Sequence, residues 1–224
     1  MTNTAALSLS EARTEVFSSL SELAQALSAP VRLRIIQILS NRPLGVEELS
    51  DRIGESVANT SQHLQKLKKS GMVTDSRQGV QKTYSIKNPG VTEAFLQFQK
   101  IASRLLPKMR QAEEELCPSD LKPDASLETV LKEVREKKAV LIDVRDREEF
   151  EASPASLAAF FPRENLKKSA QDLSKRKTVY AFCRGRYCSL ANDVVRDLRK
   201  RGFRAYRLAE MSYEIEKALQ QTEE

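Results

Sequence analysis

Residues 56–86 read SVANTSQHLQKLKKSGMVTDSRQGVQKTYSI. Thr60, Leu64 and Leu67 recur at the spacing of one helix face, and Gly71 offers a natural stop. Two strand-like runs follow, joined by a predicted turn at Gln78-Gly79. Upstream, SELAQALSAPVRLRIIQILSNRP (21–43) places Leu23, Ala26 and Leu27, then Leu33, Ile36 and Leu39 at helical spacing. Pro30 suits the first turn of the second of these helices. A short amphipathic piece, VEELSDRI, and Gly54 lead into residue 56. Downstream, VTEAFLQFQKIASRLLPKMRQAEEEL predicts a helix over 91–116 that is long enough to pack against another copy. Helix, short helix, turn, helix and basic hairpin form the layout of a winged helix-turn-helix, a mainly α, α+β domain.

Charge locates a surface on that layout. The chain carries a formal net charge of +6, but window 52–87 holds seven Lys/Arg against only Glu55 and Asp75. Local basic charge is the footprint of a double-stranded DNA operator, although a solvated face gives the same count. A helix fits the major groove and a hairpin lies along the backbone. Opposite the apolar stripe, Ser56, Asn59, Ser61 and Gln62 offer short polar groups to base edges or phosphates. Lys66, Lys68, Lys69, Arg77 and Lys82 are the candidate phosphate contacts. His63 reads as a phosphate donor or a satisfied packing residue before it reads as a ligand.

Several classes are excluded by composition. Apolar content of 40% with 30% charge is ordinary for a globular protein, and no apolar run approaches the roughly 20 residues of a membrane span. The start has no basic segment ahead of an apolar one, so no secretory leader is expected. Three cysteines, Cys117, Cys183 and Cys188, are an odd number that argues for a reducing, cytoplasmic setting. One histidine is too few for a histidine-built metal centre, and neither metal nor cofactor is expected.

CPSDLKPDAS (117–126) marks the boundary between residues 1–117 and 126–224, with 118–125 as linker. Beyond it the pattern alternates. SLETVLKEVREK, LKKSAQDLSK and SLANDVVRDLRKRG read as helices, while AVLIDV, TVYAFC and FRAYRL read as buried strands. That order predicts a small α/β domain with a doubly wound, mainly parallel sheet, in which ligands bind beyond the strand ends. AFCRGRYCSL (181–190) sits there, leaving a strand and entering a helix. Cys183 would face helix N-terminal donors and the positive end of the helix dipole, with Arg184 and Arg186 adding cationic field. All three effects favour a nucleophilic thiolate able to take a sulfane-sulfur donor or a small oxyanion. A buried cysteine ending a strand remains the alternative.

Two resemblances sharpen these readings. LSAPVRLRIIQILSNRPLGVEELSDRI together with residues 56–86 resembles the ArsR/SmtB repressors over about 80 residues, 18–100. The likeness implies a homodimer built through helices near 10–27 and 91–116 that binds two half-sites. Most members release DNA on binding metal through cysteines ahead of the reading helix. Here that stretch offers Gly45, Val46 and Glu47, and 91–116 has no histidine, so metal sensing is not expected. VLIDVRDREEFE, FFPRENL and TVYAFCRGRYCSLANDVVRDLRKRGFRAYRL resemble a rhodanese domain over most of 126–215. The likeness implies that Cys183 carries a persulfide, within a loop running Cys183, Arg184, Gly185, Arg186, Tyr187, Cys188. It also implies that Asp143 and Arg145 form the structural element behind the loop.

The likeness has gaps. EASPASLAAFF stands where rhodaneses have a His-Ile-Pro-Gly-Ala turn, and RLAEMSYEIEK replaces their glycine-rich turn and tryptophan. Turnover is therefore an open expectation, with three readings: a sulfur-responsive regulator, a working sulfurtransferase with a fused DNA-binding domain, or an interaction module. Cys188 either resolves a persulfide or sulfenate on Cys183 or packs as a small apolar residue.

Overall fold

A computed structural model describes residues 7–162 and 166–221, apart from the side chains of Gln78, Lys167 and Lys168. Arg163, Glu164 and Asn165 of the FFPRENL stretch lie outside the described residues. The chain divides into two compact units, Met1–Leu96 and Gln97–Glu224.

The first unit opens with α1 (Leu9–Leu27), whose start is fixed by a capping box. The Ser8 hydroxyl accepts the Glu11 N–H at 3.3 Å, and the Glu11 carboxylate accepts the Ser8 N–H at 2.9 Å. α2 (Pro30–Leu39) begins on its proline. β1 (Leu44–Gly45) leads into α3 (Val46–Ile53), which Gly54 closes in the left-handed region. α4 (Val57–Lys69) buries Thr60, Leu64 and Leu67, the expected stripe, against Ile35, Ile36, Leu39 and Leu49. Each such leucine contributes roughly 1.5–3 kcal/mol by leaving water. Leu23, in contrast, remains 43% exposed, because α1 meets this core only near its end, at Ala26 and Leu27.

β2 (Val73–Gln78) and β3 (Gln81–Ile86) pair antiparallel, and the sheet order is β1-β3-β2. Gln78 is the last paired residue, so the turn is Gly79-Val80, one position beyond the expected Gln78-Gly79. Gly79 has φ +61° at the first turn position, which is where a two-residue hairpin demands glycine.

The helix expected over 91–116 is two helices. α5 (Pro89–Leu105) begins in the first unit and ends in the second, and α6 (Pro107–Leu116) follows. Leu106 between them is extended, at φ −114° and ψ 101°. Pro107 supplies no N–H and its ring disfavours helical backbone at Leu106, so the helix breaks while its apolar spacing continues.

The second unit continues, after a 3-10 turn at Ser119–Leu121, with α7 (Leu127–Arg135), β4 (Ala139–Asp143), α8 (Arg147–Ala152), β5 (Ala158–Phe160), α9 (Leu166–Ser169), β6 (Thr178–Phe182), α10 (Leu190–Lys200), β7 (Ala205–Arg207) and α11 (Ser212–Gln221). The sheet is parallel, in the order β5-β4-β6-β7. Alternate residues of β6 serve opposite faces. Val179 and Ala181 pack with α10, while Tyr180 and Phe182 pack with α7 and α11. The α/β expectation thus holds, and β5 is an additional strand inside the EASPASLAAFF stretch. Strand order reverses between β4 and β6, which brings the segments after these two strands together.

The segment after β4 is pinned by a buried ion pair. Asp143 accepts from the Arg145 backbone N–H at 3.0 Å and from its guanidinium at 2.7 Å, with both side chains fully buried. Arg145 also donates to the Ser153 carbonyl at 2.7 Å. Asp143→Ala leaves that guanidinium without its carboxylate. The expected cost is about 3–5 kcal/mol for the second unit, read as a lowered guanidinium chloride midpoint by tyrosine fluorescence.

Candidate functional site

The cysteine loop leaves β6 at Cys183 and curls back before α10. Gly185 has φ +91°, and its carbonyl accepts the Cys188 N–H at 3.1 Å, closing a turn over 185–188. Beneath this turn lies Arg207, fully buried on β7. Its Nη2 donates to the carbonyls of Gly185 (3.0 Å) and Cys188 (2.7 Å), and its Nη1 donates to that of Leu116 (3.0 Å). Asn192 Nδ2 donates to the same Leu116 carbonyl at 3.0 Å.

The loop arginines are both held by acids. Arg184 reaches the buried Glu149 carboxylate at 2.6–2.8 Å and Asp146 at 3.1 Å. Asp146 also caps α8 by accepting the Glu149 N–H, which sets both acids at one helix start. Arg186 lies 3.9 Å from Glu113 on α6, whose carboxylate also accepts the Tyr187 hydroxyl at 3.0 Å. Burial first, and this hydrogen bond second, push the Tyr187 phenol upward, so it stays a donor.

The two loop sulfurs lie in different settings. Cys183 is fully buried, and its S–H points to the Cys188 carbonyl at 3.3 Å. Its hydrogen bond to Cys188 and its burial push its pKa well up. The Cys188 thiol is pulled down to about 5, first by the Cys183 S–H and then by the backbone N–H groups of Leu190 and Arg184. N–H groups at the start of α10 reach both sulfurs, that of Leu190 to Cys188 and that of Ala191 to Cys183. Cys183 lies in the core with Val144, Phe161 and Ala191, and Cys188 packs against the same core. Cys117, at the end of α6, is buried and also pushed up by its burial. No group of three or more His, Cys, Asp or Glu residues is arranged to hold a metal among the described residues.

In the first unit, Gln62, Lys66 and Lys69 lie exposed on α4, opposite the buried stripe. Ser56 is its cap, and its hydroxyl accepts the Asn59 N–H at 3.2 Å. The Asn59 amide donates to Glu55 at 2.7 Å. Ser61 and His63 are half-buried. His63 Nδ1 is 3.4 Å from Arg32 Nη1. Burial first, then the charges of Arg32 and Lys66, lower its pKa, so the ring is neutral at pH 7. On the hairpin Arg77 is exposed opposite Lys82. Lys82 turns to Asp75 at 3.5 Å, which Lys68 also contacts. Two of the expected phosphate cations therefore share one carboxylate.

These two arrangements match two family models. Residues 29–75 match the bacterial regulatory proteins of the arsR family, and residues 126–214 match the rhodanese-like domain. The HTH-type transcriptional regulator Rv0324 of Mycobacterium tuberculosis is 30% identical over 200 residues, which span 89% of this chain and 88% of that protein. The chain belongs to the ArsR-family transcriptional regulators that carry a rhodanese-like domain. YgaV, an HTH-type transcriptional regulator of Escherichia coli, is 39% identical over 70 residues, 31% of this chain and 71% of its own. Among solved structures, the homodimeric winged helix-turn-helix DNA-binding domain of Mb0332 from Mycobacterium bovis is 27% identical. It covers 47% of this chain and 95% of that one, with a TM-score of 0.42.

Within this ArsR–rhodanese chain, sequence reasoning missed Glu113, Glu149, Asn192 and Arg207. Arg207 had a signal, since it occupies an inward position of FRAYRL between apolar neighbours. Arg207→Leu removes the donor shared by the Gly185, Cys188 and Leu116 carbonyls. Each stranded acceptor costs about 1–3 kcal/mol, so the second unit is expected to unfold at clearly lower denaturant and Cys188 to label faster with a maleimide.

Proposed function

We propose that this regulator binds operator DNA as a homodimer through α4 and the β2–β3 hairpin, and that sulfur chemistry at the Cys183–Cys188 pair sets its affinity. The carrying observation is the way α6 is held. Its Glu113 carboxylate and Leu116 carbonyl are bound by Tyr187, Asn192 and Arg207, and Arg186 lies beside Glu113. Three of these four residues belong to the loop or to the helix it enters. Any change of loop shape or charge is therefore felt at α6, and α6 follows directly on α5, the helix that starts in the DNA-binding unit. The homodimer reading is supported by α1, where Val16, Phe17 and Leu20 are 55–65% exposed along one side of the helix. No helix among the described residues is long and apolar enough to cross a membrane, and the free cysteines suit a reducing cytoplasm.

For DNA, Gln62 and Ser61 supply base-edge hydrogen bonds, Ser56 and Asn59 fix the helix start, and Lys66, Lys69 and Arg77 neutralise phosphates. Neutral His63, accepting from Arg32 on Nδ1, offers its Nε2–H as a donor rather than a charge. Lys82 contributes less than Arg77, since Asp75 holds it. Anisotropy titration of upstream DNA at two salt concentrations tests this half. Lys66→Ala should weaken binding across sequences and reduce the salt slope by about one, whereas Gln62→Ala should relax base preference and keep the slope. The coupling is tested by Glu113→Gln. Its affinity for DNA without donor should stay within about twofold of wild type. Its response to inorganic polysulfide should vanish, while mass spectrometry still finds sulfur on the loop. A Glu113→Gln protein that responds as wild type does sinks the route through α6, and wild-type binding indifferent to polysulfide sinks the sensing itself.

A further inference from the structure

We propose that the second unit carries a DNA-contacting surface of its own, formed by Lys175, Arg176 and Lys177 together with Lys200, Arg201 and Arg204, which grips the phosphate backbone beside the operator. The proposal rests on operator binding by α4 and the hairpin, and not on sulfur chemistry at the loop.

SKRK (174–177) and RKRGFR (199–204) hold seven Lys/Arg and no acid. Residues 118–224 carry 22 Lys/Arg against 19 Asp/Glu, so outside these two stretches the balance is 15 against 19, and acidic. Folding sets the two stretches side by side. The first is a turn between the 3-10 turn Ala170–Asp172 and β6, closed by the Lys177 N–H on the Ser174 carbonyl at 3.1 Å. The second is the end of α10, where Gly202 at φ +83° lets the Phe203 N–H return to the Leu198 carbonyl at 3.0 Å. The Lys175 ammonium stands 5.7 Å over the Phe203 ring, and the Arg204 carbonyl accepts the Val179 N–H at 2.9 Å, which joins the two turns. Both lie where β6 and β7 begin, so the length of the sheet separates them from the cysteine loop at the far end of β6.

A helix C-terminus draws cations by itself, and that accounts for Lys200 on α10. It does not account for three more on a separate turn. Arg201 is paired with Asp197 at 2.6 Å, and Arg199 reaches the Asp120 carbonyl at 3.0 Å. Lys175, Arg176, Lys177, Lys200 and Arg204, in contrast, have no carboxylate in ion-pair reach among the described residues. All of these but the half-buried Lys177 are exposed. Like charges crowded on one rim repel one another until an anion meets them. The kind of anion follows from what the rim lacks. Among the described residues no large apolar side chain stands exposed between Ala158 and Gln221. A protein partner would need such an anchor at the centre of its interface. A phosphate backbone needs only cations spaced along it, and the DNA-binding unit of the same chain already brings DNA close. Tethering makes the second contact intramolecular, at a roughly millimolar effective concentration, so a few weak ion pairs suffice.

The test titrates the full-length Lys175→Ser/Arg176→Ser/Lys177→Ser protein by fluorescence anisotropy against an upstream duplex of about 60 bp at two salt concentrations. The salt slope should fall by about two to three, near one for each lost cation, and the affinity near about 0.15 M salt should fall at least about tenfold. The same loss is expected on a scrambled duplex, because phosphates carry no sequence. Lys132→Ser, which removes an exposed lysine of α7, should leave slope and affinity as in wild type, and thermal melts confirm that every protein is folded. A triple variant that matches wild type in slope and affinity on both duplexes overturns the proposal. Lys66→Ala, run alongside, tells the two surfaces apart. If it alone weakens binding, only the surface on the second unit fails; if it too changes nothing, operator binding by α4 fails with it. Vesicles of phosphatidylcholine and phosphatidylglycerol form the last arm. Wild-type binding to them that disappears in the triple variant, with the DNA slope intact, assigns the rim to a lipid surface and overturns the proposal as well.

Discussion

The second unit depends on one buried cation. Arg207 has no solvent exposure, and a guanidinium does not shed its proton, so its charge must be met inside the protein. Backbone carbonyls meet it. Leu116, Gly185 and Cys188 each give an oxygen within 3.0 Å. A carbonyl committed to a buried charge cannot rotate away cheaply, so each bond fixes a peptide plane. Two of those planes shape the cysteine turn, and the third is the last residue of α6. Turn and helix end thus share one anchor.

That anchor explains why the two cysteines differ although they stand only five residues apart. The turn sets Cys188 just before α10, half-buried against the same core, where N–H groups are unpaired within the helix. Cys183 stays under it as a continuation of β6, pointing into the core. Burial raises a thiol and converging N–H donors lower one, and the curl of the chain distributes these effects between neighbours. Arg184 reinforces the split, because Glu149 and Asp146 hold its charge where it favours the thiolate at Cys188.

Periodicity carried much of this fold into the sequence. Thr60, Leu64 and Leu67 mark the inner face of α4, and the runs AVLIDV and TVYAFC are legible as buried strands because both faces of a parallel sheet are covered. Elements set by a single residue against the pattern were harder to read. Pro107 interrupts a helix whose apolar spacing continues on both sides, and β5 has only three residues, too few to show a period. Long-range pairing was not legible at all. Nothing near Lys82 or Lys68 announces that Asp75 holds both, and Glu113 lies 74 residues from the Tyr187 hydroxyl that it accepts. Loop position suggested which cysteine meets the helix, but depth below the surface follows from tertiary packing.

Charge at the loop is nearly closed. Arg184 is matched by Glu149 and Asp146, Arg186 faces Glu113, and Arg207 is solvated by carbonyls with the thiols close by. A unit charge about 4 Å from another is worth about 4 kcal/mol at an effective dielectric near 20. The Arg184 pairs sit at 2.6–3.1 Å on a capped helix, whereas Arg186 stands 3.9 Å from Glu113. The Arg186 ion pair with α6 is thus the longest of these, while Tyr187, Asn192 and Arg207 hold the same helix at 3.0 Å.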